Sequence, residues 1–523
     1  MEKSETAPIV KTTGLVLGIV FFAILLSVPF GSDARIHRMA AVAALMATWW
    51  MTEAIPLAAT SLMPLVLMPI LKISQPEDVA RSYMNDYIFL FIGGFTIALT
   101  MERWNLHRRL ALHIVRRVGD RPSQLVLGFM IATALVSMWI SNTATAMMMM
   151  PIALSVVLLA EECEKKGNAR EHERFAGRFG VALMLGVAYA ASIGGLGTLV
   201  GTPPNAFFAG CFHKEFPGAP EISFARWMLL VLPLCPVMLL VTWALLTFVL
   251  HPLRRATFLG GREAVQRQLA EMGPISRAET GVFIVFVAAA FLWIFRLDIP
   301  IGKMTIPGWS NLLGLVESGG EKQVAWVRDG TVAMLAALSL FFIPSGRRKG
   351  ERLVDWKTIQ DLPWNVLFLF GGGFALANGL ETSGLSNWIG EQCAALHGMP
   401  VMALVLVVVT FTTFLTELTS NIAVATMILP ILADVCRAAM INPLVPMLSA
   451  TIVASFAFML PVATPPNAIV FGTGYVPLRA MIRAGLILDL VGIVLVALLI
   501  YYVAIPLWGI DPAQLPASWL PQG

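Results

Sequence analysis

The sequence predicts an all-helical, polytopic membrane protein of about 11 transmembrane helices plus two re-entrant helical hairpins, arranged as an inverted repeat. Three observations carry that reading. Of 523 residues, 57% are apolar and 13% charged, about half the roughly 25% charge of water-soluble domains. Mean hydropathy is +0.77, and apolar runs near the roughly 20 residues that cross a bilayer recur along the chain. Patterns in the first half also return in the second. No connection is long enough to form a separate soluble domain, which excludes a soluble enzyme.

Taken in order, spans are expected near residues 13–30, 38–57, 58–71, 87–104, 180–212, 227–250, 278–296, 330–345, 363–381, 445–475 and 484–507. The first is long for a signal-peptide core and is followed by more membrane, so it reads as a retained span. The stretches 123–160 and 400–435 fit a hairpin that enters and returns on one side better than a single crossing. With the amino terminus cytoplasmic, three basic clusters fall inside: Arg108, Arg109, Arg116 and Arg117; Arg254 and Arg255; Arg347, Arg348 and Lys349. This is the positive-inside asymmetry, and Leu106 to Arg109 reads as an orientation anchor. The net charge of +4 is scattered along loop edges and offers no patch for nucleic acid. Cys163, Cys211, Cys235, Cys393 and Cys436 show no metal-ligand spacing and read as apolar fillers.

The repeat is the most informative feature. Phe89-Leu90-Phe91-Ile92-Gly93-Gly94-Phe95 returns as Phe368-Leu369-Phe370-Gly371-Gly372-Gly373-Phe374, offset by 279 residues, and Ser141-Asn142 returns as Ser420-Asn421 at the same offset. Thr202-Pro203-Pro204-Asn205 returns as Thr464-Pro465-Pro466-Asn467 at an offset of 262, a difference absorbed by a charged loop around Glu161 to Arg178. An odd number of spans separates the copies, so they run in opposite directions. Arginines follow the first copy, whereas residues 382–436 contain no Lys or Arg. Inverted repeats with interrupted helices are the architecture of secondary transporters, with the site near the midplane.

Ser137 to Thr143 and Thr416 to Ile422 place hydroxyl and amide groups at the expected hairpin tips. Ser and Asn cap helix starts, so each tip can begin a helix whose free N–H groups and positive dipole end face a cavity and attract a carboxylate. In each Thr-Pro-Pro-Asn segment two prolines lack N–H donors, strand carbonyls of the preceding turn and break the helix. Freed carbonyls with Ser, Thr and Asn oxygens make a hard-oxygen cage of the kind sodium occupies in discontinuous helices. Residues 122–160, 181–213 and 441–478 contain no Asp, Glu, Lys or Arg, and 400–433 contain only Glu417. A bound anion therefore has no fixed cation to neutralise it, so either the substrate is neutral or cations travel with it, and the hard-oxygen tips suggest sodium. Glu417 is either a proton carrier or a group hydrogen-bonded to its own backbone. Glu53, beside Pro56, reads as a helix break near a boundary or as a proton-relay group. An intramembrane hydrolase would need a nucleophile and base, and no convincing pair appears.

These motifs, with Trp50-Met51-Thr52-Glu53-Ala54-Ile55-Pro56, Trp104-Asn105-Leu106-His107 and Leu460-Pro461-Val462-Ala463-Thr464-Pro465-Pro466-Asn467-Ala468, resemble the divalent anion–sodium symporter family of di- and tricarboxylate carriers over nearly the whole chain. The resemblance implies a non-enzymatic, multi-pass protein of the plasma or bacterial inner membrane, working as a homodimer. Each protomer would have a fixed scaffold (1–121 and 254–399) and a transport domain (122–253 and 400–510) that moves as an elevator, followed by a C-terminal tail, 511–523. The implied activity is sodium-coupled symport of C4-dicarboxylates of the succinate, malate and fumarate class. The alternatives are a sodium-independent dicarboxylate exchanger, or citrate or sulfate as the preferred anion. Na+ would occupy two or more sites, the first built from Ser137, Ser141, Asn142 and the Gly201 carbonyl, the second from Thr416, Ser420, Asn421 and the Ala463 carbonyl. Substrate carboxylates would meet Asn142, Thr143, Asn421, Thr464 and Pro465. Ile422 stands in the same pocket where many members have Thr and some dicarboxylate carriers Val, so a hydroxyl contact is lost there.

Overall fold

The computed structural model describes residues 8–119, 121–165, 169–253, 261–301, 304–319, 322–392 and 400–520. Arg254, Arg255 and Cys393 lie outside these residues. The chain opens with α1 (Pro8–Ser27) and α2 (Ala34–Thr52), which pack against each other. Asp33 caps α2, its side chain accepting from Arg35 N. Glu53 ends it in the left-handed region at φ 47, so of the two readings of Glu53 the structure shows the helix break. The expected span 58–71 divides at Leu62 into α3 (Leu57–Ser61) and α4 (Met63–Ile70). After α5 (Pro76–Arg81) come α6 (Asp86–Arg103) and the amphipathic α7 (Leu106–Val118). Arg109 on α7 is not an interfacial anchor. It is buried, 2.6 Å from Glu279 and bonded to the Gly273 carbonyl at 2.9 Å, so a buried ion pair fixes α7 within the protein.

The first hairpin is α8 (Pro122–Ser137) and α9 (Asn142–Lys165), followed by α10 (Ala169–Gly195) and, after a break, α11 (Pro203–Glu215). The charged segment expected as a loop is largely helical, because α9 and α10 extend through it. Next come α12 (Phe224–Val231), α13 (Leu234–Ala244) continued by a π-helical turn (Leu245–Leu250), α14 (Gly261–Glu271) and α15 (Arg277–Ile294). Two antiparallel hairpins, β1 (Ile299–Ile301) with β2 (Met304–Ile306) and β3 (Val316–Gly319) with β4 (Lys322–Ala325), flank α16 (Trp309–Leu312). They correct the all-helical expectation locally. Strands of three or four residues leave no periodic signature long enough to read. Beside them Arg296, fully buried, is held by Asp329 at 2.6 Å and by Glu221.

The second half contains α17 (Asp329–Leu340), α18 (Trp356–Gln360), α19 (Trp364–Ser383) and α20 (Leu385–Gln392). The second hairpin follows as α21 (Val401–Leu418) and α22 (Asn421–Ala438), then α23 (Leu444–Val453), α24 (Pro465–Phe471), α25 (Leu478–Leu499) and α26 (Ile505–Trp508). Nine described helices are long and apolar enough to cross a membrane, against the expected eleven or so spans. Three of the nine, Asn142–Glu162, Val401–Leu418 and Asn421–Ala438, are hairpin arms, so six match expected spans; the expected spans 58–71, 330–345 and 445–475 form shorter apolar helices, and α2 and α19, over 38–57 and 363–381, are not among the nine.

The inversion of the repeats is visible in α6 and α19. Asn85, at the start of α6, shares one concavity with Thr382 at the end of α19, whereas Glu102, near the end of α6, shares another with Asn365 at the start of α19. The two helices are antiparallel. Their matching glycines mark close backbone approaches: a Cβ at Gly93 would stand 2.5 Å from the Ala333 carbonyl carbon, and one at Gly372 would stand 2.5 Å from the Ser61 carbonyl oxygen. The Phe91 and Phe370 rings of the two copies meet at 4.7 Å.

Candidate functional site

Both hairpin tips and both helix breaks line one cavity of about 490 Å³. Ser141, Asn142, Thr143 and Gly201 come from the first repeat, and Ser420, Asn421, Ile422, Ala463, Thr464 and Pro465 from the second. Phe95, Leu99 and Glu102 of α6 and Val366 and Leu369 of α19 close the other side. Glu102 and Asp361 mark the face on which α6 ends and α19 begins. No Lys or Arg is among the described lining residues. Ser137 and Thr416 do not line the cavity; they are fully buried one layer behind the tips.

At each tip a hydroxyl lies between acceptor oxygens. Ser137 Oγ is 2.7 Å from Asn142 Oδ1 and 2.8 Å from the Ala191 carbonyl oxygen. Thr416 Oγ1 is 2.8 Å from Asn421 Oδ1 and 2.7 Å from the Ala454 carbonyl oxygen. A hydroxyl carries one hydrogen and can satisfy one acceptor at a time, so each cluster holds more oxygens than protons. Such a donor set fits a hard cation. Among the described residues no acceptor takes Asn142 Nδ2 or Asn421 Nδ2, both cavity-lining. The first-turn N–H groups of α9 and α22 lack intrahelical partners by position. Ser141 Oγ caps α9 by accepting from Ala144 N at 3.2 Å.

The breaks are held by residues the motif contained but whose role the sequence did not disclose. Asn205 Nδ2 donates to the carbonyls of Gly195 at 3.1 Å and Thr198 at 2.8 Å. Asn467 Nδ2 donates to those of Ala457 at 3.0 Å and Leu460 at 3.1 Å. Thr198 Oγ1 donates to the Met138 carbonyl at 2.5 Å and accepts from Gly201 N at 3.0 Å, tying the first break to the first tip. Gly201 is required sterically: a Cβ there would stand 2.5 Å from the Gly195 carbonyl oxygen and 2.8 Å from that of Met138. Thr464 caps α24, its Oγ1 accepting from Asn467 N at 3.4 Å. Glu417 does not bond its own backbone. It reaches across to the second break, accepting from Met459 N at 2.7 Å and Leu460 N at 3.1 Å.

Fold and site together define an inverted-repeat membrane protein with discontinuous helices, the architecture on which secondary transporters are built. Residues 9–510 match the family described as the sodium:sulfate symporter transmembrane region, and the chain belongs to that family, the divalent anion:sodium symporters. It is 43% identical over 507 residues to the sodium-dependent dicarboxylate transporter SdcS of Staphylococcus saprophyticus, covering 96% of this chain and 93% of that protein. It is 41% identical over 504 residues to SdcS of Staphylococcus aureus, covering 96% and 92%. Two solved structures share the fold at 13% identity and a TM-score of 0.53. They are the YdaH transporter of Alcanivorax borkumensis, covering 96% of this chain and 100% of that one, and MtrF of Neisseria gonorrhoeae, covering 93% and 94%.

Proposed function

We propose that the chain is a secondary active transporter that couples sodium movement to uptake of C4-dicarboxylates of the succinate, malate and fumarate class. One observation carries this reading: a single cavity is flanked by two oxygen-rich, proton-poor clusters, at Ser137–Asn142 and Thr416–Asn421, and has no Lys or Arg among its described lining residues. A dicarboxylate alone would bring uncompensated charge into the membrane. Sodium ions in the two clusters supply the missing positive charge. Ser137 and Thr416 turn their hydrogens to the Ala191 and Ala454 carbonyls, leaving lone pairs for the ions, with Ser141, Ser420 and the carbonyls of Gly201 and Ala463 completing the cages. Asn142 and Asn421 link ion to substrate, each giving Oδ1 to sodium and its NH2 to a carboxylate. Thr143, Thr464, Pro465 and Ile422 shape the rest of the pocket.

The cavity reaches the face that carries α7 and its arginines, the cytoplasmic face under the positive-inside rule with the amino terminus inside. In the elevator reading, 122–253 and 400–510 move against 1–121 and 254–399, in a homodimer of the plasma or bacterial inner membrane. Within this division α9 and α10 contact α24, and α21 and α22 contact α23, while α19 and α20 of the scaffold pack on α22 across the boundary along which the two parts would slide. The test is uptake of labelled succinate by proteoliposomes under an inward sodium gradient. Sodium-dependent, saturable uptake is expected, with cooperativity above one. Equal uptake when choline replaces sodium would instead favour the exchanger, which needs internal substrate. Competition by citrate and sulfate fixes the preferred anion.

A further inference from the structure

The concavity at the opposite end of α6 and α19, which Asn85 and Thr382 line, has a volume of about 980 Å³, larger than the 490 Å³ of the tip cavity, and differs from it in charge. Arg35, Lys72, Arg81 and Lys214 line it against one acid, Asp78. Arg35 is held by Asp33 at 2.8 Å. Arg81 comes only to 3.9 Å from Asp78, and 83% and 54% of these two side chains are exposed, so their attraction is screened by water. Lys72 is exposed just past the end of α4. Lys214 Nζ donates to the Phe374 carbonyl at 2.5 Å, while Glu215 beside it is taken by Arg437 at 2.9 Å. Among the described residues no ion pair includes Lys72 or Lys214. Lys214 belongs to α11 and Phe374 to α19, so the concavity lies where the moving and fixed parts of the elevator reading meet.

With the amino terminus inside, this face is the outer one, and the positive-inside rule puts Lys and Arg on the other. Topology therefore gives no reason for a group of cations here. The tip cavity has the opposite character: Glu102 and Asp361 are among its described lining residues and no Lys or Arg is. We propose that the concavity lined by Lys72, Arg81 and Lys214 is an outer vestibule that binds the dicarboxylate dianion weakly and concentrates it before it reaches the hairpin tips. This role rests on the dicarboxylate reading above; the positive field of the vestibule does not. A concave wall of one charge sign focuses field lines into its opening and raises association rates by about tenfold or more, an effect that salt screens. The two openings then differ in sign, so that a dianion is attracted on the outer face and repelled by Glu102 and Asp361 on the inner one.

The test is uptake of labelled succinate by cells expressing the full chain, so that the label meets the outer face. Sodium is held fixed, and ionic strength is raised by replacing isotonic sucrose with choline chloride. At low ionic strength the double variant Lys72→Gln/Arg81→Gln is expected to lower the ratio of maximal rate to KM about fivefold, with the maximal rate and the sodium half-saturation within about twofold of wild type. Asp78→Asn removes the one acid and is expected to raise that ratio about twofold, a gain that damaged folding does not produce. At high ionic strength the three proteins are expected to converge. Equal ratios at low ionic strength, or a fall that persists at high ionic strength, would overturn the vestibule. A second readout needs no transport. Gln75 is exposed and lines the concavity, and in Gln75→Cys the rate of modification by an anionic methanethiosulfonate relative to a cationic one is measured above the wild-type background and normalised to a small free thiol. That relative rate is expected to drop about fivefold when Lys72 and Arg81 are both replaced by Gln, and an unchanged value would overturn the vestibule. Absence of sodium-dependent uptake in wild type would defeat the proposed function instead, and the thiol measurement would still decide the positive field.

Discussion

Asn205 and Asn467 perform the same task in opposite halves of the molecule. Each side-chain amide donates across the helix break of its own repeat, to Gly195 and Thr198 in the first and to Ala457 and Leu460 in the second. Both residues are fully buried, so the carbonyls they serve have no water to turn to. The breaks remain open because one amide serves carbonyls that the interrupted helix leaves without their usual partners four residues on.

The first prediction follows directly. Replacing Asn205 or Asn467 with Leu keeps the approximate volume and removes the donor, leaving buried carbonyls unpaired at about 1–3 kcal/mol each. Each variant should unfold at lower temperature in detergent than wild type, and sodium should no longer raise its unfolding temperature. An unchanged sodium-induced shift would show that the staple does not hold the cage.

Gly201→Ala should damage the first cation cage selectively. The added methyl meets two backbone carbonyls, and overpacking of this kind costs about 1–3 kcal/mol. Gly177→Ala is the control, because a Cβ there meets nothing within 4 Å. Sodium titration of uptake should show weakened, less cooperative activation in Gly201→Ala and a wild-type curve in Gly177→Ala.

Asn142→Asp and Asn421→Asp replace the NH2 that would meet a substrate carboxylate with a second acceptor oxygen. Both should abolish uptake while the protein still elutes as a folded species. Normal transport by either variant would remove that position from the site.

The pocket is asymmetric at Thr143 and Ile422, both of which line it. Ile422→Thr adds a hydroxyl, and one buried hydrogen bond contributes only about 0.5–1.5 kcal/mol net. Affinities should therefore change by roughly tenfold or less, most for acids with an extra hydroxyl or carboxylate. Competition of succinate, malate and citrate against labelled succinate measures this, and an unchanged ranking would take residue 422 out of the pocket.

The sequence by itself determined the membrane class, the inverted repeat and the motif residues at both tips and both breaks. It could do so because bilayer crossing demands long apolar runs, and because duplicated polar patterns stand out against them. Only the tertiary structure decided the rest. Arg109 looked like an interfacial anchor until Glu279, 170 residues away, proved to be its partner. Glu417 offered two local readings, whereas its bonds go to Met459 and Leu460 on another segment. Ser137 and Thr416 stand behind the cavity wall while their motif neighbours line it, a distinction linear spacing does not carry. The physical reason is common to all of them. A buried polar group is defined by whichever group supplies its missing proton, lone pair or charge, and in a folded chain that group comes from packing between segments far apart in sequence.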